Sequence, residues 1–356
     1  MVIDGRGPGP GCGDVRRRSA GWTPVAAVLC LVSGCSSASP ASTGGAAPAA
    51  SATTSVPGGA APPAATAVVP TPMASAMPAV APPTAAVATL AGCPPPVALG
   101  SLTALRRITS VDVDDVTVTA DGHLWVTAVT SGKILELDAT GALLRTIDDP
   151  RSPEGIVELP GGALAVAEQR ANRVARLDRA TGTFTELVGV PNTTANEGVD
   201  GLGLDAAGSR LLIPDSANGR LDVLPLSADG HAAGPLRVVA TKLGRPVAAW
   251  MDTAGIIEVA VENAPGLIRV DAAGGVTAVS PNAGFGQLDE VLGRHGLLYV
   301  TDLVSRRLEA VDPVSGTVAV LVLGSPTPQG LAILADGRLL LIDTQTRELV
   351  VVPGCG

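Results

Sequence analysis

Polar residues that could ligate a metal ion stand at equivalent places in six similar segments of this sequence. In chain order, the segments open with Asp114, Glu154, Asp200, Arg245, Asp289 and Gln329. Carboxylate oxygens are the ligands that hard divalent cations such as Ca²⁺ prefer. Carboxylates that are brought together repel one another unless a cation, an arginine or a shared proton offsets their charge. The sequence therefore predicts an acidic cluster wherever the fold gathers these segments, with Ca²⁺ or Zn²⁺ as the candidate cofactor.

The same residues also admit a structural interpretation. Arg245 can pair with a neighbouring carboxylate and neutralise part of the cluster without a metal. A second acidic set ends the second predicted strand of four segments and consists of Glu168, Asp215, Asp302 and Asp343. Aspartate at such a place commonly accepts hydrogen bonds from the backbone of the following turn. We expect the three aspartates of this second set to be structural, while both interpretations stay open for the first set.

Other catalytic chemistries lack their residues in this chain. The three histidines, His123, His231 and His295, fall in or near predicted turns. This placement disfavours a Ser-His-Asp triad or a multi-histidine metal site. The sequence also has no nucleophile-elbow motif, no phosphate-binding glycine loop and no Cys-x-x-Cys pair. The acidic cluster therefore remains the candidate site.

The segments that carry these residues are copies of one unit. Each copy contains a short apolar strand, a turn with glycine, a second strand that ends in a polar residue, and a third strand, as in DDVTVTADGHLWVTA at 114–128. Successive copies begin about 40 to 46 residues apart, which is the length of a four-stranded propeller blade. Helical periodicity is absent. The predicted fold class is all-β, a six-bladed β-propeller; a sandwich or two smaller domains stay open as alternatives.

Both ends of the repeat region indicate a closed ring. The sixth copy has only three strands, whereas residues 104–109 precede the first copy and resemble its fourth strand at 142–147. The N-terminal strand is therefore predicted to complete the last blade. Cys93 and Cys355 flank this closure, and two otherwise isolated cysteines at opposite ends of an extracytoplasmic domain predict a disulfide. Because inner strands begin at the face of a propeller where ligands enter, closure would place the six opening residues round the axis.

The copies resemble blades of the NHL-repeat and regucalcin/gluconolactonase-like six-bladed propellers. Stretches that carry the resemblance are Leu-Tyr-Val-Thr-Asp at 298–302, Leu-Leu-Ile-Pro-Asp at 211–215 and Asp-Gly-Leu at 200–202. The resemblance covers nearly all of residues 92–356. It is specific for the fold and poorly specific for activity, since one scaffold hosts enzymes, sensors and binding platforms.

The resemblance also implies roles for the opening residues. Enzymes of the regucalcin/gluconolactonase type hold a divalent cation with a Glu, an Asn and an Asp from the starts of inner strands. By this resemblance Glu154, Asp200 and Asp289 are metal ligands, and Asp289 also acts as catalytic base. The Asn has no counterpart at a blade start, because Asn196 lies four residues before Asp200. The remaining opening residues become candidate ligand-binding residues, namely Asp114, Arg245 and Gln329.

The N-terminal region predicts export and lipid anchoring. A triple arginine precedes an apolar run at 25–32 that is too short to span a bilayer, so residues 1–34 are predicted to be a signal peptide. The run ends in Val-Ser-Gly-Cys, which resembles the lipobox of bacterial lipoproteins. Cys35 is therefore the predicted lipidation site, and the predicted location is extracytoplasmic, anchored to the cell membrane.

Composition then separates a tether from a domain. Residues 35–91 are almost wholly Ala, Pro, Ser, Thr, Gly and Val without charge or aromatic side chains, so they cannot bury enough apolar surface to offset the entropy of ordering. They are predicted to be a disordered tether, and residues 92–356 to be the propeller. The chain has 24 Lys and Arg against 33 Asp and Glu, a net charge of −9, which disfavours nucleic acid as a partner.

Two functions are consistent with these features. The leading hypothesis is a non-catalytic, surface-anchored module whose propeller binds a small ligand or a cell-envelope partner. The alternative is a divalent-metal-dependent lactonase or esterase-like hydrolase of the gluconolactonase type. A monomer is expected in either case, because a closed ring leaves no unpaired inner strand edge.

Overall fold

The computed structural model describes residues 89–149, 151–191 and 198–356. The predicted signal peptide, Cys35, most of the predicted tether and Asn196 lie outside these ranges. Within the described ranges, no helix combines the length and the apolar character that crossing a membrane requires. The helical content there is two single turns of 3₁₀ helix, Leu99–Ser101 and Gln169–Ala171. The all-β prediction is thus confirmed.

Twenty-five strands form six separate sheets in the described part of the chain. The first two strands are β1 (Val97–Ala98) and β2 (Ala104–Arg107). Blade 1 consists of β3 (Val116–Val118), β4 (Leu124–Ala128), β5 (Lys133–Leu137) and β6 (Leu143–Asp148). Blade 2 consists of β7 (Pro153–Glu158), β8 (Leu164–Glu168), β9 (Arg173–Asp178) and β10 (Thr183–Gly189). Blade 3 consists of β11 (Gly203–Leu204), β12 (Arg210–Asp215), β13 (Arg220–Pro225) and β14 (Arg237–Thr241).

The second half of the chain repeats the same antiparallel order. Blade 4 consists of β15 (Pro246–Met251), β16 (Ile257–Val261), β17 (Leu267–Val270) and β18 (Val276–Ala278). Blade 5 consists of β19 (Leu288–Arg294), β20 (Leu297–Asp302), β21 (Arg307–Val311) and β22 (Val318–Leu323). Blade 6 contains β23 (Pro328–Ile333), β24 (Leu339–Asp343) and β25 (Glu348–Val352). The six blades coincide with the six predicted copies.

Turns rich in aspartate and glycine fix the hairpins within blades. At the turn from β5 to β6, Oδ1 of Asp138 accepts hydrogen bonds from the backbone N–H groups of Thr140 at 2.8 Å and Ala142 at 2.9 Å. Gly141 in the same turn has φ of +80°, a conformation that side chains other than glycine rarely adopt. Asp312 and Gly316 form the corresponding turn of blade 5. The turn residues therefore set the strand register locally.

The N-terminal strand completes the last blade, as predicted. Strand β2 pairs antiparallel with β25, with Ala104 opposite Val350 and Arg107 opposite Glu348. Cys93 and Cys355 form a disulfide beside this pair, across a sequence separation of 262. Strand β1 adds a feature that the repeat did not predict, because it pairs parallel to β22 and gives blade 5 a fifth strand. Residues 93–107 and the C-terminal residues are thereby tied to the ring.

Hydrophobic cores lie between blades rather than within one sheet. Six clusters of buried side chains exist in the described ranges, and each joins one pair of neighbouring blades. The cluster around Val116 and Leu340 joins blade 1 to blade 6, which closes the circle. The fully buried aromatic side chains Trp125 and Tyr299 belong to the blade 1–2 and blade 5–6 clusters. This arrangement excludes the sandwich and the two-domain alternatives.

Inner strands approach one another closely near their starts. The N–H of Gly201 donates to the carbonyl of Val247 at 2.7 Å, and that of Gly330 donates to the carbonyl of Asp114 at 3.1 Å. A Cβ atom at Gly155, Gly201 or Gly330 would lie 2.6 Å from a backbone oxygen of the neighbouring blade. Glycine therefore permits the narrow axis on which the acidic residues meet.

Candidate functional site

A narrow pocket lies on the axis where the inner strands begin. Its lining consists of Asp114, Asp115, Glu154, Gly155, Asp200, Gly201, Val247, Asp289 and Glu290. Six of these nine residues carry a carboxyl group, and none is basic. The volume of the pocket is about 10 Å³, which is roughly the room of one water molecule or one bare ion. The structure thus brings together the four acidic opening residues that the sequence placed round the axis.

Burial raises the pKa of all six carboxyl groups, and the charge of neighbouring carboxylates adds to the effect in each case. The pKa is raised from 3.8 to about 6 for Asp200, to about 7 for Asp115 and to about 8 for Asp114. The pKa values of Glu154, Asp289 and Glu290 lie well above their ordinary range. Near neutral pH the pocket therefore holds protons on several carboxyl groups.

Glu154 and Asp200 interact directly in this pocket. Beyond burial and charge, a hydrogen bond between the two side chains raises the pKa of Glu154 and lowers that of Asp200. This hydrogen bond favours the protonated form of Glu154 and the ionised form of Asp200. Oε2 of Glu154 is shielded from solvent and makes no hydrogen bond with any described residue. A buried polar atom without a partner is unfavourable by about 1–3 kcal/mol, so the pocket contains an oxygen that a cation would satisfy.

Arg245 neutralises one side of the cluster. Its Nη2 lies 3.2 Å from Oδ2 of Asp200, and its Nη1 forms an ion pair with Glu262. Asp200 Oδ2 also accepts a hydrogen bond from the Ser216 hydroxyl at 3.1 Å. The structural interpretation of Arg245 thus holds for its contact with Asp200. Among the predicted ligand-binding residues, Arg245 and Gln329 do not line the pocket, whereas Asp114 does.

The three aspartates of the second acidic set cap turns, as expected. Asp302 accepts hydrogen bonds from the N–H groups of Val304 at 3.0 Å and Ser305 at 2.9 Å. Asp343 accepts from the N–H of Thr346 at 2.8 Å. Asp215 likewise accepts from the N–H of Asn218 at 3.1 Å. Glu168 instead forms an ion pair with Arg173. The three aspartates therefore stabilise turns, and none of the four carboxylates lines the axial pocket.

Two functional candidates, Asp115 and Glu290, were not singled out from the sequence. Oδ1 of Asp115 accepts from the N–H of Val116 at 2.6 Å, and its Oδ2 accepts from the N–H of Ile156 in blade 2 at 3.1 Å. Oε1 of Glu290 accepts from the N–H of Val291 at 2.8 Å. Three other copies have glycine at this second position, so an alignment of the six copies would have shown these two acidic exceptions.

The side chains as placed do not form a ready coordination sphere. Among the described residues, no group of three or more His, Cys, Asp or Glu side chains is arranged to hold a metal ion. The donor chemistry nevertheless fits a hard cation, since the pocket supplies carboxylate oxygens and includes the partnerless Oε2 of Glu154. Coordination would require the carboxyl groups to lose protons and rotate toward one point.

Comparison with known proteins supports the fold. No protein-family model matches this sequence, and no curated protein sequence matches it. Among solved structures, a gluconolactonase from Xanthomonas campestris is similar with a TM-score of 0.60 at 15% identity, over 74% of this chain and 96% of the other. The calcium-binding protein regucalcin from Agrobacterium tumefaciens is similar with a TM-score of 0.59 at 14% identity, over 74% and 97%.

A third similar structure has a different stated activity. Virginiamycin B lyase from Staphylococcus aureus is similar with a TM-score of 0.52 at 17% identity, over 68% of this chain and 80% of the other. At these identities the likeness shows the fold alone. The chain is therefore a six-bladed propeller with regucalcin/gluconolactonase-like and lyase structural neighbours, and its function must be argued from its own residues.

Proposed function

We propose that this protein is a monomeric, non-catalytic binding module whose axial pocket holds a divalent cation. The observation that carries the proposal is a pocket of six carboxyl groups without a basic residue in its lining, in which Oε2 of Glu154 has no partner among the described residues. Bringing that many carboxyl groups together is unfavourable by itself. A cation in the pocket would convert this repulsion into attraction.

The donor set selects the kind of cation. All six polar side chains of the lining offer oxygen, and among the described residues the lining contains neither histidine nor cysteine. Oxygen-only sites suit Ca²⁺, whereas Zn²⁺ favours sites that include nitrogen or sulfur. Ca²⁺ is therefore the proposed occupant.

Each residue has a role in this proposal. Glu154, Asp200 and Asp289 are the proposed ligands, and Glu154 and Asp289 give up protons when the cation binds. Asp115 is less suited to coordination, because both of its oxygens already accept backbone hydrogen bonds. Arg245 holds Asp200 in place from the side. The bound cation would supply positive charge in the axial pocket, where oxygen atoms of a ligand or an envelope partner can complete its coordination.

The size of the pocket favours binding over turnover. Pockets that enclose small organic ligands have volumes of about 300–1,000 Å³, and this one has about 10 Å³. Asp289, the candidate base, is buried, and burial with the charge of neighbouring carboxylates raises its pKa well above the ordinary range, which favours the protonated form that cannot act as a base. Lactone hydrolysis is therefore the alternative function, which the experiment below distinguishes from binding.

Calorimetric titration of the chelator-treated full chain with CaCl₂ at pH 8 tests the proposal. We expect one site per chain, and Glu154→Gln should weaken binding at least about tenfold because it removes a ligand charge. Asp148→Asn is the matched control, since Asp148 is exposed and remote from the pocket. Absence of binding, or equal affinity in Glu154→Gln, would refute the cation site. Lactone hydrolysis that requires the added cation would replace the binding module with the hydrolase.

The proposed location has its own test. We expect metabolic labelling with palmitate to mark the full chain in a bacterial host, because Cys35 follows a lipobox-like sequence. Cys35→Ser should abolish the label and release the protein from the membrane fraction. Cys12→Ser is the control and should leave the label unchanged. A label that persists in Cys35→Ser would contradict lipid anchoring at this residue.

A further inference from the structure

A second cavity lies further along the axial channel, beyond the acidic pocket. Its volume is about 240 Å³. Half-buried apolar side chains line it, one from the inner strand of each blade: Val118, Val157, Leu204, Trp250, Leu292 and Ile333. These residues follow the blade openings by three to five positions, which corresponds to roughly 10–17 Å along a strand. The channel therefore has an acidic end and an apolar end.

Two carboxyl groups stand between the two ends. Asp115 and Glu290 line both the acidic pocket and the apolar cavity. Both oxygens of Asp115 accept backbone hydrogen bonds. For Glu290 the hydrogen bond found among the described residues is to Oε1, from the N–H of Val291. Oε2 of Glu290 is thus available to a ligand in the cavity, whose lining contains no Lys, Arg or His.

Trp250 gives the cavity an aromatic wall. A Cβ atom at Gly293, on the inner strand of blade 5, would collide with the indole ring of Trp250. The glycine therefore lets the ring lie flat against the neighbouring blade while the ring also lines the cavity. Aromatic faces attract cations within about 6 Å of the ring centre.

We infer that this cavity binds a small organic ammonium ion, with the ammonium group between Glu290 and the face of Trp250 and the apolar body against the surrounding aliphatic side chains. A neutral apolar ligand would leave the buried carboxyl group without a partner, which is unfavourable. A bare metal ion would find too few free oxygens in this cavity, and an anion would face two carboxyl groups. The inference does not depend on calcium binding in the acidic pocket.

Calorimetry at pH 8.5 on the chelator-treated full chain with benzylammonium and benzyl alcohol tests the inference, because the two probes have nearly the same shape and differ in charge. This pH favours the ionised form of the carboxyl groups while benzylammonium keeps its charge. We expect benzylammonium to bind at least about tenfold more tightly than benzyl alcohol. Glu290→Gln should remove this preference by weakening benzylammonium alone. Glu186→Gln, at an exposed carboxylate, is the matched control and should keep the preference.

A second variant keeps the test decisive if Glu290→Gln does not fold. Trp250→Leu should weaken benzylammonium by about fivefold or more, since the cation–π contact is lost while an apolar wall remains. Equal affinity of the two probes for the unmodified chain would overturn the inference. Unchanged benzylammonium affinity in Glu290→Gln, or in Trp250→Leu, would also overturn it.

Discussion

Replacement of Cys355 by serine should lower the free energy of unfolding by roughly 5 kcal/mol. The disulfide to Cys93 closes a loop across a sequence separation of 262, and closing so long a loop removes much entropy from the unfolded chain. The disulfide also joins the N-terminal segment of the propeller to its C-terminal segment. Two further contacts join these segments: the N–H of Gly356 donates to the carbonyl of Gly92 at 3.0 Å, and β2 pairs with β25. Denaturant unfolding of the full chain measures the loss.

The control for this prediction is the partner cysteine. Cys93→Ser should cause the same loss within about 1 kcal/mol, and the double variant should add little, since one bond is removed in all three chains. Reduction of the unmodified chain should reproduce the loss. A change below about 1 kcal/mol in Cys355→Ser would contradict closure by the disulfide and would indicate that strand β2 alone holds the ring.

Asp289→Asn should stabilise the cation-free protein at pH 8.5 by at least about 1–2 kcal/mol, although most buried substitutions destabilise. Burial and the charges of Asp114 and Asp200 raise the pKa of Asp289 in the folded state. The folded protein therefore binds more protons than the unfolded chain above pH 4, and its stability falls as the pH rises. Asparagine is uncharged at every pH, so it removes the part of this loss that Asp289 causes.

The same linkage gives a pH profile for the unmodified chain. The pKa values of Asp200, Asp115 and Asp114 are raised from 3.8 to about 6, 7 and 8. Without calcium, stability should be highest near pH 5, and the Tm should be lower at pH 8.5 by about 5 °C or more. Thermal unfolding in the presence of a chelator measures both effects, with Asp148→Asn as the control that should follow the unmodified profile. A Tm that rises from pH 5 to 8.5, or an unchanged slope in Asp289→Asn, would contradict the buried carboxyl cluster.

The fold was predictable from the sequence because its signals are local and repeated. Six copies, turns with aspartate and glycine, and a terminal segment that resembles a fourth strand each indicate the same closed ring, and the structure confirms it. Strand β1 was not predicted, because two residues that pair parallel to β22 carry no periodic pattern. Such a short pairing depends on where the closed ring leaves a free edge.

The site was predictable in position and less so in detail. Asp114, Glu154, Asp200 and Asp289 converge because they open inner strands, which is a property of the repeat. Gln329 opens a strand in the same way but does not line the pocket. Asp115 and Glu290 were not predicted because they occupy the second position of their copies, where three other copies have glycine. The ion pair of Arg245 with Glu262 depends on distances between loops, which a sequence pattern does not contain.

In the proposed binding module, calcium displaces protons from the axial carboxyl groups. Calcium titration of the full chain at pH 7, repeated in two buffers of different ionisation enthalpy, counts the protons released on binding. We expect the release of about one proton or more per calcium ion, since the pKa values of Glu154 and Asp289 are raised well above their ordinary range and that of Asp114 is raised to about 8. Calcium binding without proton release, or no calcium binding at all, would contradict this exchange of protons for calcium.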